Sequence, residues 1–176
     1  MIDNDELARR NAEFAAGRTF AGLTLRPSGS MQFIGCVDPR VDPSYVLGLK
    51  LGESAVTRNV GGRVTPATLR MLAMLSKVVQ ANTDRPPPGD FQYVVLQHTG
   101  CGIKSLAAFP DLLAEYFEIP ISDLGAKAVT DPAAAVHVDV EVLMERLPAG
   151  IFVSGLVYDV ATGLIETVVP PVRVAE

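Results

Sequence analysis

The chain has no tryptophan, only two histidines and only two cysteines among its 176 residues. No apolar run approaches the roughly 20 residues that a membrane-spanning helix needs, so the sequence predicts no membrane role. A surplus of positive charge is missing too. The net charge is −5, which gives a nucleic-acid or anionic-membrane partner no electrostatic support. The opening Met-Ile-Asp-Asn-Asp-Glu is acidic and lacks the basic-then-apolar order of a secretory signal, so the expected location is the cytoplasm. Thiols stay reduced there, which favours a metal site over a disulfide for the cysteines. There are no internal repeats and no low-complexity tails. What is present is ordinary for a globular protein: 48% hydrophobic and 20% charged residues. This length suits one domain that buries roughly two-thirds of its unfolded surface.

Residues 1–30 read as an N-terminal helical arm and connector, and 31–176 as an α/β domain. Asp3 can cap a helix over Asp3–Ala16, with Glu6 placed as in a capping box and Gly17 at its end. Its apolar stripe, chiefly Leu7 and Phe14, is thin, so the helix is expected to dock on the body or on a partner subunit. Met31–Cys36 and Ser54–Asn59 read as strands, with a helical turn over Pro43–Leu49 between them. Thr65 and Pro66 open a strong helix that runs to about Ala81. Leu69, Met71, Leu72, Met74, Leu75, Val78 and Val79 surround much of its axis, which predicts burial on more than one side and hints at a subunit interface. Asn82–Asp90, with three consecutive prolines, reads as a stiff surface loop. Phe91–His98 reads as a buried strand, Pro110–Glu118 and Pro132–Leu147 as helices. Ile151–Asp159 and Leu164–Val169 read as a closing hairpin. Strands separated by helices predict an α/β fold with a mostly parallel central sheet flanked by helices.

Both cysteines fall where a predicted strand gives out. In such sheets ligands bind beyond the carboxyl ends of strands. His98 and Cys101, separated by two residues on the turn leaving one strand, can close on a single metal ion, and Cys36 ends another strand. Thiolate sulfur and imidazole nitrogen suit tetrahedral zinc, and three protein ligands leave a fourth place open. The sequence therefore predicts that Cys36, His98 and Cys101 bind one zinc ion. Two thiolates leave zinc with no net charge, which acidifies a bound water less than three imidazoles would. A nearby cation offsets this, and Arg40 lies four residues from a ligand. Asp38 can pair with Arg40, accept a hydrogen bond from zinc-bound hydroxide, or take the fourth place itself.

Cys36-Val-Asp38-Pro-Arg40, Arg58-Asn-Val-Gly-Gly62 and His98-Thr-Gly-Cys101-Gly102 together resemble the three signature segments of β-class carbonic anhydrases, in the family's order. Gly155–Gly163 is similar to that family's closing hairpin. The likeness spans about Phe33 to Val169. It implies reversible hydration of carbon dioxide to bicarbonate by zinc-bound hydroxide, with Cys36, His98 and Cys101 as ligands and Asp38 with Arg40 as the orienting, catalytic dyad. Arg58 and Gly102 become the substrate-contacting positions. A homodimer or dimer-based oligomer is implied as well, with the N-terminal helix wrapping the partner. Some members hydrolyse carbon disulfide or carbonyl sulfide on the same site, and a closed, non-catalytic zinc module is the third reading. Pro39 and Gly100 depart from the family pattern, at positions usually occupied by serine and by a polar residue.

Plainer readings stand beside these. The cysteines suit a buried apolar role, or a redox pair, although there is no Cys-x-x-Cys. Asp38 and Arg40 suit a loop-orienting salt bridge, compatible with catalysis. Arg58 suits a strand-end charge satisfied by carboxylates. His137, four residues before Glu141, suits a solvated pair more than a proton shuttle or fourth ligand. Gly61 and Gly62 lack the lysine of a phosphate-binding loop.

Overall fold

The computed structural model of the chain describes residues 1–82 and 90–175. The proline-rich loop expected over Asn82–Asp90 lies, except for its two end residues, outside the described residues. Five strands form one sheet in the order β2-β1-β3-β4-β5: β1 Met31–Cys36, β2 Ser54–Asn59, β3 Gln92–His98, β4 Phe152–Tyr158 and β5 Ile165–Arg173. The pairs β1/β2, β1/β3 and β3/β4 are parallel, and only β4/β5 is antiparallel. The mostly parallel α/β fold expected from the sequence is the observed one.

The inner strands β1 and β3 are buried along almost their whole length, as near-continuous apolar runs in a parallel sheet should be. The edge strand β5 tolerates Pro170 and Pro171, because an edge can lose ladder donors that a central strand cannot. Helix α1 is Asn4–Ala16, α2 Pro43–Val46, α3 Pro66–Ala81, α4 Pro110–Phe117 and α5 Pro132–Arg146. The Thr65 hydroxyl caps α3 by accepting from the Thr68 N–H, and the Asp131 carboxylate caps α5 by accepting from Ala133 and Ala134. Helix α5 lays Val136 and Val140 on β4 at Gly155, where a Cβ would sit 2.1 Å from Val136 Cγ1. These residues join Ile34, Leu72, Val95, Leu143 and Val153 in the main core.

Two details differ from the sequence expectation. The Glu6 carboxylate turns to Arg9 and Arg10 instead of closing a capping box, although Asp3 does accept from the Glu6 N–H. Two 3-10 segments, Gly102–Ala108 and Ile121–Lys127, were not expected; they are too short and irregular to imprint a helical period. Against the described residues helix α3 buries Thr68 and Leu72. Met74 is 70% exposed and Val78 45%, so within one chain the helix meets the core on one side and leaves the rest of its apolar girth uncovered. No residue of α1 is buried against the described residues. Among the described residues no helix is long and apolar enough to cross a membrane.

Candidate metal centre

Because β1 and β3 are parallel neighbours, in register from Met31↔Gln92 to Gly35↔Leu96, they end at the same edge of the sheet. Cys36 is the last residue of β1 and His98 the last of β3. A turn through Gly100, at φ +64°, then brings Cys101 back over the strand ends. The two Sγ atoms lie 3.8 Å apart, and one ligand atom from each of Cys36, His98 and Cys101 falls within 4.8 Å of the others. Three positions spread over 66 residues of sequence thus converge on one point, because parallel pairing forces it.

The donor set fits a metal ion. His98 Nδ1 sits 3.0 Å from the Thr99 carbonyl oxygen, which can only accept, so Nδ1 carries the proton and Nε2 keeps its lone pair. That Nε2 is buried with no hydrogen-bond partner among the described residues, a costly state unless something electrophilic meets it. The neighbouring Cys101 holds the Cys36 thiol well below its ordinary value, while burial opposes; His98 and the backbone N–H groups of Asp38 and Gly61 add to the lowering. Cys101 is pushed up by Cys36 and then by burial. The pair therefore keeps one proton between two sulfurs, and a cation is what would replace it.

Two arginines hold the loops that carry these ligands. Arg40 grips Asp38 with both ends of its fork: Nε donates to Oδ1 at 3.0 Å and Nη2 to Oδ2 at 2.6 Å. The same Nη2 reaches the Gly100 carbonyl at 3.2 Å, so Arg40 ties the Cys36 loop to the Cys101 turn. The Arg40 hydrogen bonds hold the Asp38 carboxyl far below its usual range, against a small burial effect. Arg58, on β2, donates to the Cys36 carbonyl, the Asp38 carbonyl and the Asp42 carboxylate, each at 2.7 Å. Gly102 is exposed and opens the 3-10 segment; a Cβ there would meet nothing within 4 Å. His137 lies exposed on α5, away from the cluster of potential ligands.

Sequence reasoning missed a second polar layer. Thr99 Oγ1 donates to Asp159 Oδ1 and accepts from the Val160 N–H, both at 3.1 Å, fastening the His98 turn to the end of β4. Arg63 and Asp139 form an ion pair with side chains only 1% and 2% exposed, joined by Gln97. A readable signal existed for this one: Asp139 shares a helical face with Ala135, Val136, Val140 and Leu143, which are all buried. Gly61 and Gly62 allow a close approach. A Cβ on Gly62, at φ +63°, would fall 2.8 Å from the Cys36 nitrogen, so the turn presses against the end of β1 and delivers Arg63 behind the ligands.

A parallel sheet that presents two thiols and an imidazole to one point at its carboxyl edge defines a protein class: an α/β protein able to hold a metal ion beyond its strand ends. A family model described as carbonic anhydrase matches residues 31–115. β-Carbonic anhydrase 1 of Mycobacterium tuberculosis is 32% identical over 97% of this chain and 100% of its own length. A crystal structure of carbonic anhydrase from Streptococcus mutans superposes with a TM-score of 0.69 at 30% identity, over 96% of this chain and 99% of that one. An apo carbon disulfide hydrolase shares the fold at 20% identity and TM-score 0.58, over 92% and 88% of the two chains. The chain belongs to the β-carbonic anhydrase family and, as an enzyme, is a carbonic anhydrase, a lyase.

Proposed function

We propose that the protein is a zinc enzyme that hydrates carbon dioxide reversibly to bicarbonate, with Cys36, His98 and Cys101 as the metal ligands. The observation that carries this reading is the lone, buried Nε2 of His98 beside two thiols 3.8 Å apart. Zinc, when bound, would supply Lewis acidity that makes hydroxide available from water near neutral pH. The chain's own residues do the rest. Asp38 is an acceptor without a proton, because Arg40 fixes it as a carboxylate. It can therefore take a hydrogen bond from the nucleophilic oxygen and leave a lone pair aimed at carbon. With both carboxylate oxygens on Arg40, Asp38 is drawn away from the fourth coordination place, which supports a catalytic centre over a closed, non-catalytic zinc module. Arg58 has two of its five N–H bonds left after its three loop contacts, and these are what it can offer bicarbonate. Gly102 leaves open space for substrate beside the ligands.

Stopped-flow carbon dioxide hydration by zinc-loaded protein at a pH of about 8 to 9 tests the reading, and a background rate would reject it. Sulfide release from carbon disulfide or carbonyl sulfide, exceeding hydration, would favour the hydrolase that shares this fold. Asp38→Ala should keep zinc at full stoichiometry and lower kcat about 100-fold or more, in the range general acid–base groups supply; an unchanged kcat would remove Asp38 from the mechanism. The pH response has a definite sign. A folded carboxyl pKa depressed below the ordinary value of about 3.9 means the Asp38–Arg40 contact contributes fully above that value and is lost only as pH falls through the lower folded one. The Asp38 carboxyl carbon shift should stay constant from about pH 8 down to about pH 4; a midpoint at or above about 4 would contradict the pairing.

We also infer a cytoplasmic homodimer or dimer-based oligomer, with residues 1–30 as an arm on the partner and 31–176 as the catalytic domain. An isolated helix of this length is marginal in water, and no residue of α1 is buried against the described residues. Leu75, Val78, Val79, Phe91 and Tyr93 line an apolar groove of about 170 Å³. Met74→Asp should shift the assembly to monomer by light scattering; an unaltered mass would place the interface elsewhere.

A further inference from the structure

A cavity of about 80 Å³ adjoins two of the proposed metal ligands and is lined by Arg63, Gln97, His98, Cys101, Lys104 and Thr130 among others. Arg63 is 1% exposed. Its Nε donates to Asp139 Oδ2 at 2.7 Å and its Nη2 to Asp139 Oδ1 at 3.3 Å. The guanidinium also lies 5.0 Å from the centre of the Phe117 ring. Its remaining nitrogen, Nη1, is buried with no hydrogen-bond partner among the described residues. A buried guanidinium nitrogen without an acceptor is a costly arrangement, and such groups in native proteins are normally met by a water or an ion.

The lining selects between these. Two cationic side chains, Arg63 and Lys104, face the cavity, and no carboxylate lines it. Asp139 is not among the lining residues, and its two contacts fix the guanidinium fork in place. Gln97 is fixed as well: its amide nitrogen donates to the Gly62 carbonyl at 2.9 Å and to Asp139 at 3.3 Å. Thr130 also lines the cavity. Asp139 balances the Arg63 charge, which leaves Lys104 as the excess cation of the lining. A rigid, pre-oriented guanidinium N–H on a lining with that sign of excess suits a compact anion, because the desolvation of Arg63 has already occurred in folding.

We propose that this cavity is a binding site for a small monovalent anion, held by Arg63 Nη1 with Lys104 and Thr130, and separate from the fourth coordination place at the metal. Bicarbonate, which the proposed reaction makes, and a halide have the same chemistry here. The site needs no metal chemistry, so it stands or falls independently of carbon dioxide hydration.

Bromide is the probe, applied to zinc-loaded protein. Crystals soaked in bromide should show an anomalous peak within hydrogen-bond distance of Arg63 Nη1, resolved from any bromide at the metal. In solution, bromide NMR linewidths should show saturable broadening, with apparent affinity weakened at least tenfold in Arg63→Met/Asp139→Leu, which removes both charges together. Bicarbonate that displaces the peak at Arg63 identifies it as an occupant, and a peak that persists in bicarbonate assigns the site to halides; both support the proposal. An ordered water with no anomalous signal at Arg63 in the unaltered protein would overturn it. So would broadening unchanged in the double variant, and neither result depends on a measured rate.

Discussion

Cys101→Ser is expected to lose zinc and catalysis together, with kcat/KM falling at least about 1,000-fold, or roughly 4 kcal/mol of transition-state stabilisation. The exchange is nearly isosteric, and Cys101 packs with Val41, Ile103, Leu113 and Phe117 in a small cluster that the change leaves filled. What disappears is a thiolate. A serine hydroxyl at neutral pH is a poor ligand for zinc, and with only Cys36 and His98 left the site drops below the three protein ligands of a catalytic centre. The Cys36 thiol also loses the neighbour that does most to hold it down, so the second ligand is harder to deprotonate. Metal content by mass spectrometry and stopped-flow hydration check this on the same sample, with a thermal melt to show that the fold survives. Full zinc with full activity would remove Cys101 from the coordination sphere.

Arg63→Met alone is expected to lower stability by about 3–5 kcal/mol, the cost of leaving one member of a buried pair uncompensated. The Asp139 carboxylate would remain at 2% side-chain exposure with its guanidinium gone. Burial already pushes this carboxyl above its ordinary value, and Arg63 is the chief influence acting against that. For a chain of this size the loss corresponds to a Tm lower by about 6–20 °C. Arg63→Met/Asp139→Leu should recover most of it, because replacing both charges by apolar groups of similar size is often neutral or stabilising. Urea denaturation of the zinc-loaded forms measures both. A single-variant loss under about 1 kcal/mol would mean that water reaches the pair.

The two layers differ in how far they were legible. Cys36, His98 and Cys101 could be picked out because each closes a run of apolar residues, and a strand that stops at a thiol or an imidazole is uncommon enough to notice. The caps of α3 and α5 were equally plain, since Thr65-Pro66 and Asp131-Pro132 act through hydrogen bonds within one turn. Arg63 was passed over as part of a glycine turn. Its partner is 76 residues away, and the spacing of two charges in sequence says nothing about whether they meet. The girth of α3 was legible without its outcome: hydrophobicity around a helix shows which surfaces avoid water, not which neighbour covers them.

By itself the sequence determined the element types, the parallel sheet, the three residues suited to a metal and the family they resemble. Those features follow from local periodicity, capping and residue chemistry, all of which operate over a few positions. Only the tertiary structure decided that two strand ends lie side by side with sulfurs 3.8 Å apart, that Arg40 grips both oxygens of Asp38, and that a guanidinium nitrogen of Arg63 is buried without a partner among the described residues. Each of these depends on which distant segments share an edge of the sheet, and that is fixed by the packing of the whole chain at once.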